Sequence, residues 1–172
     1  MGMLEDALVK RIVETSPSYK RDVMEQTIRN LLGARELKEI TGLPPRRGAA
    51  DGGFDGIIDI FHFTQGNWIS KRAGLNVKVR DSNFTREQLG CFLLDMDRES
   101  ISVGIIITAA HLSPDAKYEL ERKNAEGSFY LVHIRISDIL SGEIHANNIL
   151  LGADDLNSVL INNIKIMIDK RD

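Results

Sequence analysis

The 172-residue sequence predicts an α/β fold with a mixed central sheet, and three observations carry that expectation. Residues 54–80 alternate apolar and polar side chains across a turn signal, as an antiparallel meander does. Residues 102–109, SVGIIITA, are almost continuously apolar, as in a strand covered on both faces. From residue 85 onward, strands alternate with helices carrying apolar stripes, the pattern of parallel crossovers. Apolar residues make up 42% and charged residues 27% of the chain, enough to bury a core. The expected layout is a single domain over residues 1–172, with a core over about residues 20–141 and a C-terminal helix over about residues 153–169.

Leu4, Leu8 and Ile12 recur at four-residue steps, so a short amphipathic helix opens the chain. Ser16-Pro17-Ser18 punctuates it. A second helix runs from about Tyr19 into the thirties, with Met24, Ile28, Leu31 and Leu32 as its stripe and Glu25 just off it. Gly33 stands where that helix ends or loosens. Residues 37–43 fit either a helix end or a short strand, and Pro44-Pro45 stops both. Residues 46–53 form a loop in which Gly52-Gly53 lets a ligand approach closely. No Gly-Lys-Ser/Thr follows, so this is not a phosphate-cradling P-loop.

Residues 54–63 read as a strand. Alternation places Asp55, Ile57, Asp59, Phe61 and Phe63 on one face. Thr64-Gln65-Gly66-Asn67 is a hairpin signal. Residues 68–72 return, Ala73-Gly74 form a bulge or bend, and residues 75–79 make a third strand. There Leu75, Val77 and Val79 point one way. Asn76, Lys78 and Arg80 point the other, toward solvent or a site.

Thr85-Arg86-Glu87-Gln88 is a capping box opening a helix with the stripe Leu89, Phe92, Leu93 and Met96. Ser113-Pro114-Asp115 gives an N-cap, a proline at the first helical position and an acid in the first turn of the next helix, which runs to about Asn124. Residues 129–134 form a strand and residues 136–140 a helical turn. Leu156, Val159, Leu160, Ile164 and Met167 mark the final helix. No repeat or low-complexity segment interrupts this order.

A net charge of −3 excludes coating of nucleic acid by bulk charge. A local basic groove remains available, because Arg46, Arg47, Lys71, Arg72, Lys78, Arg80 and Arg86 lie in or beside the central stretch. The single Cys91 rules out an intramolecular disulfide framework and suits a reducing cytoplasm. No apolar run approaches the roughly 20 residues that span a bilayer, and MGMLEDALVK lacks the order of a secretory signal. His62 falls opposite Asp55, and His111, His133 and His145 lack zinc-ligand spacing. Ser113 is an N-cap rather than a nucleophile. Asp55 and Lys78 on neighbouring strands match a different chemistry. A carboxylate can hold a divalent ion beside a phosphate, and a lysine can orient water and steady developing charge.

The segment Asp51-Gly52-Gly53-Phe54-Asp55-Gly56-Ile57, followed by Leu75-Asn76-Val77-Lys78-Val79, resembles the PD-(D/E)XK nuclease superfamily and is most similar to its Mrr-like restriction endonuclease branch. The resemblance continues through Leu89-Gly90, residues 104–108, Leu112-Ser113-Pro114-Asp115-Ala116 and residues 129–140, spanning roughly residues 23–140. It implies a restriction-endonuclease-like core: a mixed central β-sheet, antiparallel meander then parallel strands, flanked by helices. It implies that Asp55 is the metal-binding acid, that Asn76 occupies the Gln/Glu position, that Lys78 is the motif lysine and that the Val77 carbonyl adds a metal oxygen. Glu25 stands where the branch has a first-helix glutamate, and Asp51 or Asp59 could add a carboxylate. The implied activity is Mg²⁺-dependent cleavage of double-stranded DNA, Mn²⁺ substituting, by a type II or Mrr-like enzyme acting as a homodimer or with a partner subunit. Asn76 departs from the pattern, being uncharged and one methylene shorter than Gln. It keeps a second reading open, that of a catalytically inactive module binding DNA or a partner.

Overall fold

One mixed sheet, in the order β1-β2-β3-β4, organises the chain in a computed structural model that describes residues 3–36, 54–64 and 67–141. β1 is Gly56–Thr64, β2 Asn67–Lys78, β3 Val103–Thr108 and β4 Tyr130–Arg135. β1 and β2 are antiparallel, with Gly56 opposite Leu75 and Thr64 opposite Asn67. β2, β3 and β4 are parallel, and Lys78, Thr108 and Arg135 fall in one row at their carboxyl ends. The mixed sheet expected from sequence is therefore present. The expectations for residues 37–53, for the Gln65-Gly66 turn and for the C-terminal helix lie outside the described residues.

The helices start and stop where local chemistry directs. α1 is Met3–Val13. Ser16 Oγ accepts the Tyr19 N–H at 3.2 Å, and a π-helical turn, Tyr19–Met24, leads into α2, Glu25–Leu32, which ends at left-handed Gly33. α3, Arg86–Arg98, carries the capping box in full: Thr85 Oγ1 accepts from Gln88 N–H, and Gln88 Oε1 accepts from Thr85 N–H. α4, Pro114–Glu126, is capped by Ser113, and α5 is Ile136–Leu140.

Two apolar layers sandwich the sheet. On one side Val9, Ile28, Leu32 and Ile139 from α1, α2 and α5 cover Leu75, Val77, Ile105, Ile107 and Val132. On the other, Leu89, Phe92, Met96 and Leu120 from α3 and α4 cover Ile57, Ile106 and Leu131. Every residue of β3 is buried, as its unbroken apolar run requires. Each buried Val or Ile side chain there contributes about 1.5–3 kcal/mol relative to exposure. The β2–α3–β3 and β3–α4–β4 crossovers step the same way across the sheet, so one handedness puts both helices on one face.

Two expectations change and a third narrows. Ala73 and Gly74 form no bulge; they pair regularly with Ile58 and Ile57, so the expected second and third strands are one strand and the meander is a hairpin. The small residues there answer to a neighbour, because a Cβ on Gly74 would lie 2.4 Å from Phe54 Cε1. Phe54 and Ile57 both enter the layer beneath α3. Strand alternation therefore begins at Gly56, and Asp55 stands just before it rather than on the face of Ile57 and Asp59. Of the two settings expected for Asn76, open to solvent or lining a site, its burial removes the first. Among the described residues, no helix is long and apolar enough to cross a membrane.

Candidate active site

β1 begins at Gly56 opposite Leu75, while β2 continues three residues further to Lys78. Asp55 closes that gap. Its N–H donates to the Leu75 carbonyl at 2.8 Å, and its Oδ2 accepts the Val77 N–H at 2.6 Å. The N–H and C=O of one strand residue point to the same side. The Val77 carbonyl is thus turned toward the Asp55 lane, while the Lys78 carbonyl, on the other side, accepts the Ala109 N–H at 3.0 Å. The Val77 N–H thus ties the Asp55 carboxylate to β2.

Asn76 precedes Val77 on β2, beside Ile106 on the face covered by α3 and α4. It is 7% exposed, and its Oδ1 has no hydrogen-bond partner among the described residues. Leaving an acceptor buried and unpaired costs about 1–3 kcal/mol. Lys78 follows on the same face, about 7 Å along the strand, and is half-buried.

α2 supports this corner. Arg29 Nη1 donates to the Asp55 carbonyl at 3.0 Å. Gly56 lets the helix close in, since a Cβ there would lie 3.2 Å from both Arg29 Cγ and Ala34 Cβ. Glu25 is one turn before Arg29 on the same helix face, directly after the π-helical turn, a feature frequent at functional sites. Among the described residues, no group of three or more His, Cys, Asp or Glu could hold a metal. A divalent ion here would rest on the Asp55 carboxylate together with the Val77 carbonyl and the Asn76 amide oxygen. That is an all-oxygen set such as Mg²⁺ prefers, with few charged protein ligands, and the orphaned Oδ1 of Asn76 fits it.

The other expected residues divide. Arg80 is exposed immediately after β2, and Arg86 is exposed at the start of α3, where it lines a small pocket with Asp115, Tyr118, Glu119 and Arg122. Lys71 and Arg72 sit near the middle of β2, on the order of 20 Å from Lys78 by strand rise. Lys71 Nζ lies 5.6 Å from the Tyr130 ring centroid. Arg72 and Arg35 both pair with Asp59, at 3.2 and 2.7 Å, so that carboxylate is tied between guanidiniums away from Asp55. Arg46, Arg47 and Asp51 lie outside the described residues.

A second polar group went unnoticed in the sequence. Thr108, in the row of Lys78, meets His133 Nε2 at 2.7 Å. Burial pushes the His133 pKa down to about 4, although Asp138 favours its charged form. His111 Nε2 lies 3.5 Å from Arg135 Nη1, and Asp138 pairs with Arg135 at 2.9 Å. The available signal was a polar residue within an apolar strand, Leu131-Val132-His133-Ile134.

A restriction endonuclease family model, of the Mrr catalytic type, matches residues 18–132. Two solved structures are similar. The DNA modification-dependent restriction endonuclease AspBHI shares 13% identity at a TM-score of 0.54, over 99% of this chain and 40% of that one. The MspJI restriction endonuclease in complex with a 27-mer oligonucleotide shares 18% identity at 0.57, over 95% of this chain and 36% of that one. At such identities the likeness is one of fold. This chain spans two fifths or less of either enzyme's length. No curated protein matches it.

Proposed function

Because the chain belongs to the restriction endonuclease family, we propose that it hydrolyses phosphodiester bonds of double-stranded DNA at the Asp55–Asn76–Val77–Lys78 corner, with Mg²⁺ or Mn²⁺ as cofactor. The observation that carries this reading is the Asp55 carboxylate held on the Val77 N–H, with a buried Asn76 oxygen on the preceding residue that has no partner among the described residues. Asp55, the Val77 carbonyl and Asn76 would hold the ion, with Glu25 one turn from the residue that grips Asp55. When bound, a divalent ion neutralises phosphate charge and lowers the pKa of water. Lys78, two residues beyond Asn76 on the same face, donates hydrogen bonds to the scissile phosphate and orients the attacking water. Arg80 and Arg86 steer the DNA backbone toward that edge. Cutting both strands calls for two such sites, supplied by a homodimer or a partner subunit. The exposed, unpaired Cys91 suits a reducing cytoplasm.

The full chain, incubated with duplex DNA and Mg²⁺ or Mn²⁺, should cut. Asp55→Ala and Lys78→Ala should each abolish cutting. Equal cleavage by wild type and both variants would remove these residues from the mechanism.

The neutral Asn76 favours a second reading, an inactive nuclease-fold module that binds DNA or a partner. Its mark would be salt-sensitive DNA binding with no Mg²⁺ or Mn²⁺ binding by calorimetry. The orphaned oxygen weighs for the first reading, since a module without a metal has no use for a buried, unpaired acceptor.

A further inference from the structure

We propose that Thr108 and His133 are positioning residues for Lys78, acting through the loop after β3; the proposal rests on the nuclease reading above. Thr108 ends β3 in register with Lys78, and it is 2% exposed. Its hydroxyl donates to the Ala110 carbonyl at 2.5 Å. A hydroxyl has one proton, so the 2.7 Å contact with His133 runs the other way, and Nε2–H of the neutral imidazole donates to Thr108 Oγ1. The outcome is a directed chain from His133 to Thr108 to the Ala110 carbonyl.

That carbonyl sits in a clamp. One residue earlier, the Ala109 N–H holds the Lys78 carbonyl at 3.0 Å. One residue later, the His111 carbonyl accepts the Phe84 N–H at 2.9 Å, and the Phe84 carbonyl accepts from Ser113 at 2.9 Å. The loop therefore grips the exit of β2 at Lys78 and the approach to α3 at Phe84. Thr108 and His133 pin it from within the sheet. Placing Lys78 Nζ against a phosphate depends on where its backbone is fixed, and a shift of about 1 Å at a reacting geometry can cost about a hundredfold in rate. If the pair served only to satisfy two buried polar groups, its loss would lower stability and leave turnover intact.

The test uses the full chain with Mn²⁺ and linear duplex DNA, one unmodified and one carrying modified bases. Thr108→Val should lower kcat about tenfold or more with KM within about twofold, and Thr108→Ser should restore it. Amide exchange at Ala109 should speed up in Thr108→Val and return to the wild-type rate in Thr108→Ser. Should Thr108→Val fail to fold, His133→Leu carries the same comparison, with His133→Gln as the donor-retaining rescue. Unchanged Ala109 exchange, or a kcat loss that the conservative variant does not recover, would overturn the proposal. If the wild type cuts neither DNA the nuclease reading fails instead, and Ala109 exchange still decides whether Thr108 anchors the loop on Lys78.

Discussion

Replacing Asn76 with leucine should make the protein more stable and unable to cut. The two side chains have the same branching and heavy-atom count, so the substitution trades polarity at nearly constant shape. Asn76 is 7% exposed beside Ile106, and its Oδ1 is unpartnered among the described residues. Removing a buried, unpaired acceptor recovers about 1–3 kcal/mol, and the lower end applies because Asn76 is not wholly sealed from solvent. The expected net gain is about 1 kcal/mol in metal-free buffer, a rise in Tm of about 2–4 °C for a chain of this size. Thermal melts in chelator and in Mg²⁺ complete the assay. At ten times its Kd, an ion bound only by the folded state adds about 1.4 kcal/mol, and the leucine variant should lose most of that gain together with cleavage. A variant less stable than wild type by more than about 1 kcal/mol without metal would show that the oxygen carries no penalty. Retained cleavage would show that the site does not need it.

Gly74→Ala should destabilise by about 1–3 kcal/mol, because the added methyl meets the Phe54 ring. Cleavage should fall with it, since Phe54 adjoins Asp55. Gly90→Ala, whose Cβ would meet nothing within 4 Å in α3, should instead add about 0.5–1 kcal/mol with cleavage unchanged; urea melts on both variants separate close approach from simple glycine content. Stability should drop as pH falls from about 6.5 to about 4. The unfolded chain protonates His133 near 6.5, whereas burial delays the folded state to about 4, a difference worth about 3 kcal/mol. His133→Gln should flatten that limb in melts at stepped pH. With Asp55→Ala as a non-cutting background, Arg80→Ala should reduce the slope of log affinity against log salt by about 0.9, and Arg72→Ala, already paired with Asp59, should leave it unchanged. Anisotropy across a KCl series reads both, and equal slopes would remove Arg80 from the DNA path.

What the sequence revealed depended on how local the cause was. The capping box at Thr85, the Ser113-Pro114 start and the apolar run of β3 are decided within a few residues, and each is found where periodicity and cap chemistry place it. Ala73-Gly74 misled because small residues in a strand have two causes, a bulge or a close neighbour. Here the neighbour is Phe54, about twenty positions earlier. The Thr108–His133 bond joins residues 25 apart, and only the β3–β4 register brings them together. The faces of Asn76 and Lys78 followed from alternation. The burial of Asn76 did not, because it depends on how α3 and α4 cover the sheet.

The candidate site is best understood as an unfinished edge. β1 stops at Gly56, so beyond Leu75 one side of β2 has no partner strand among the described residues, and buried backbone groups must still be satisfied. Asp55 answers for the Val77 N–H, and Ala109 answers for Lys78 on the other side. The Asn76 Oδ1, unpartnered among the described residues, is an oxygen that a cation can satisfy, and the Val77 carbonyl faces the Asp55 lane beside it. Metal occupancy and local order are thereby linked, since an ion that binds these oxygens stabilises the folded corner in proportion to its affinity. Amide exchange should report this directly. Adding Mg²⁺ or Mn²⁺ should slow exchange at Val77 and leave β3 and β4 unchanged, and Asp55→Ala should erase the effect. An equal slowing across the whole sheet would mean that the ion binds elsewhere and stabilises the fold only globally.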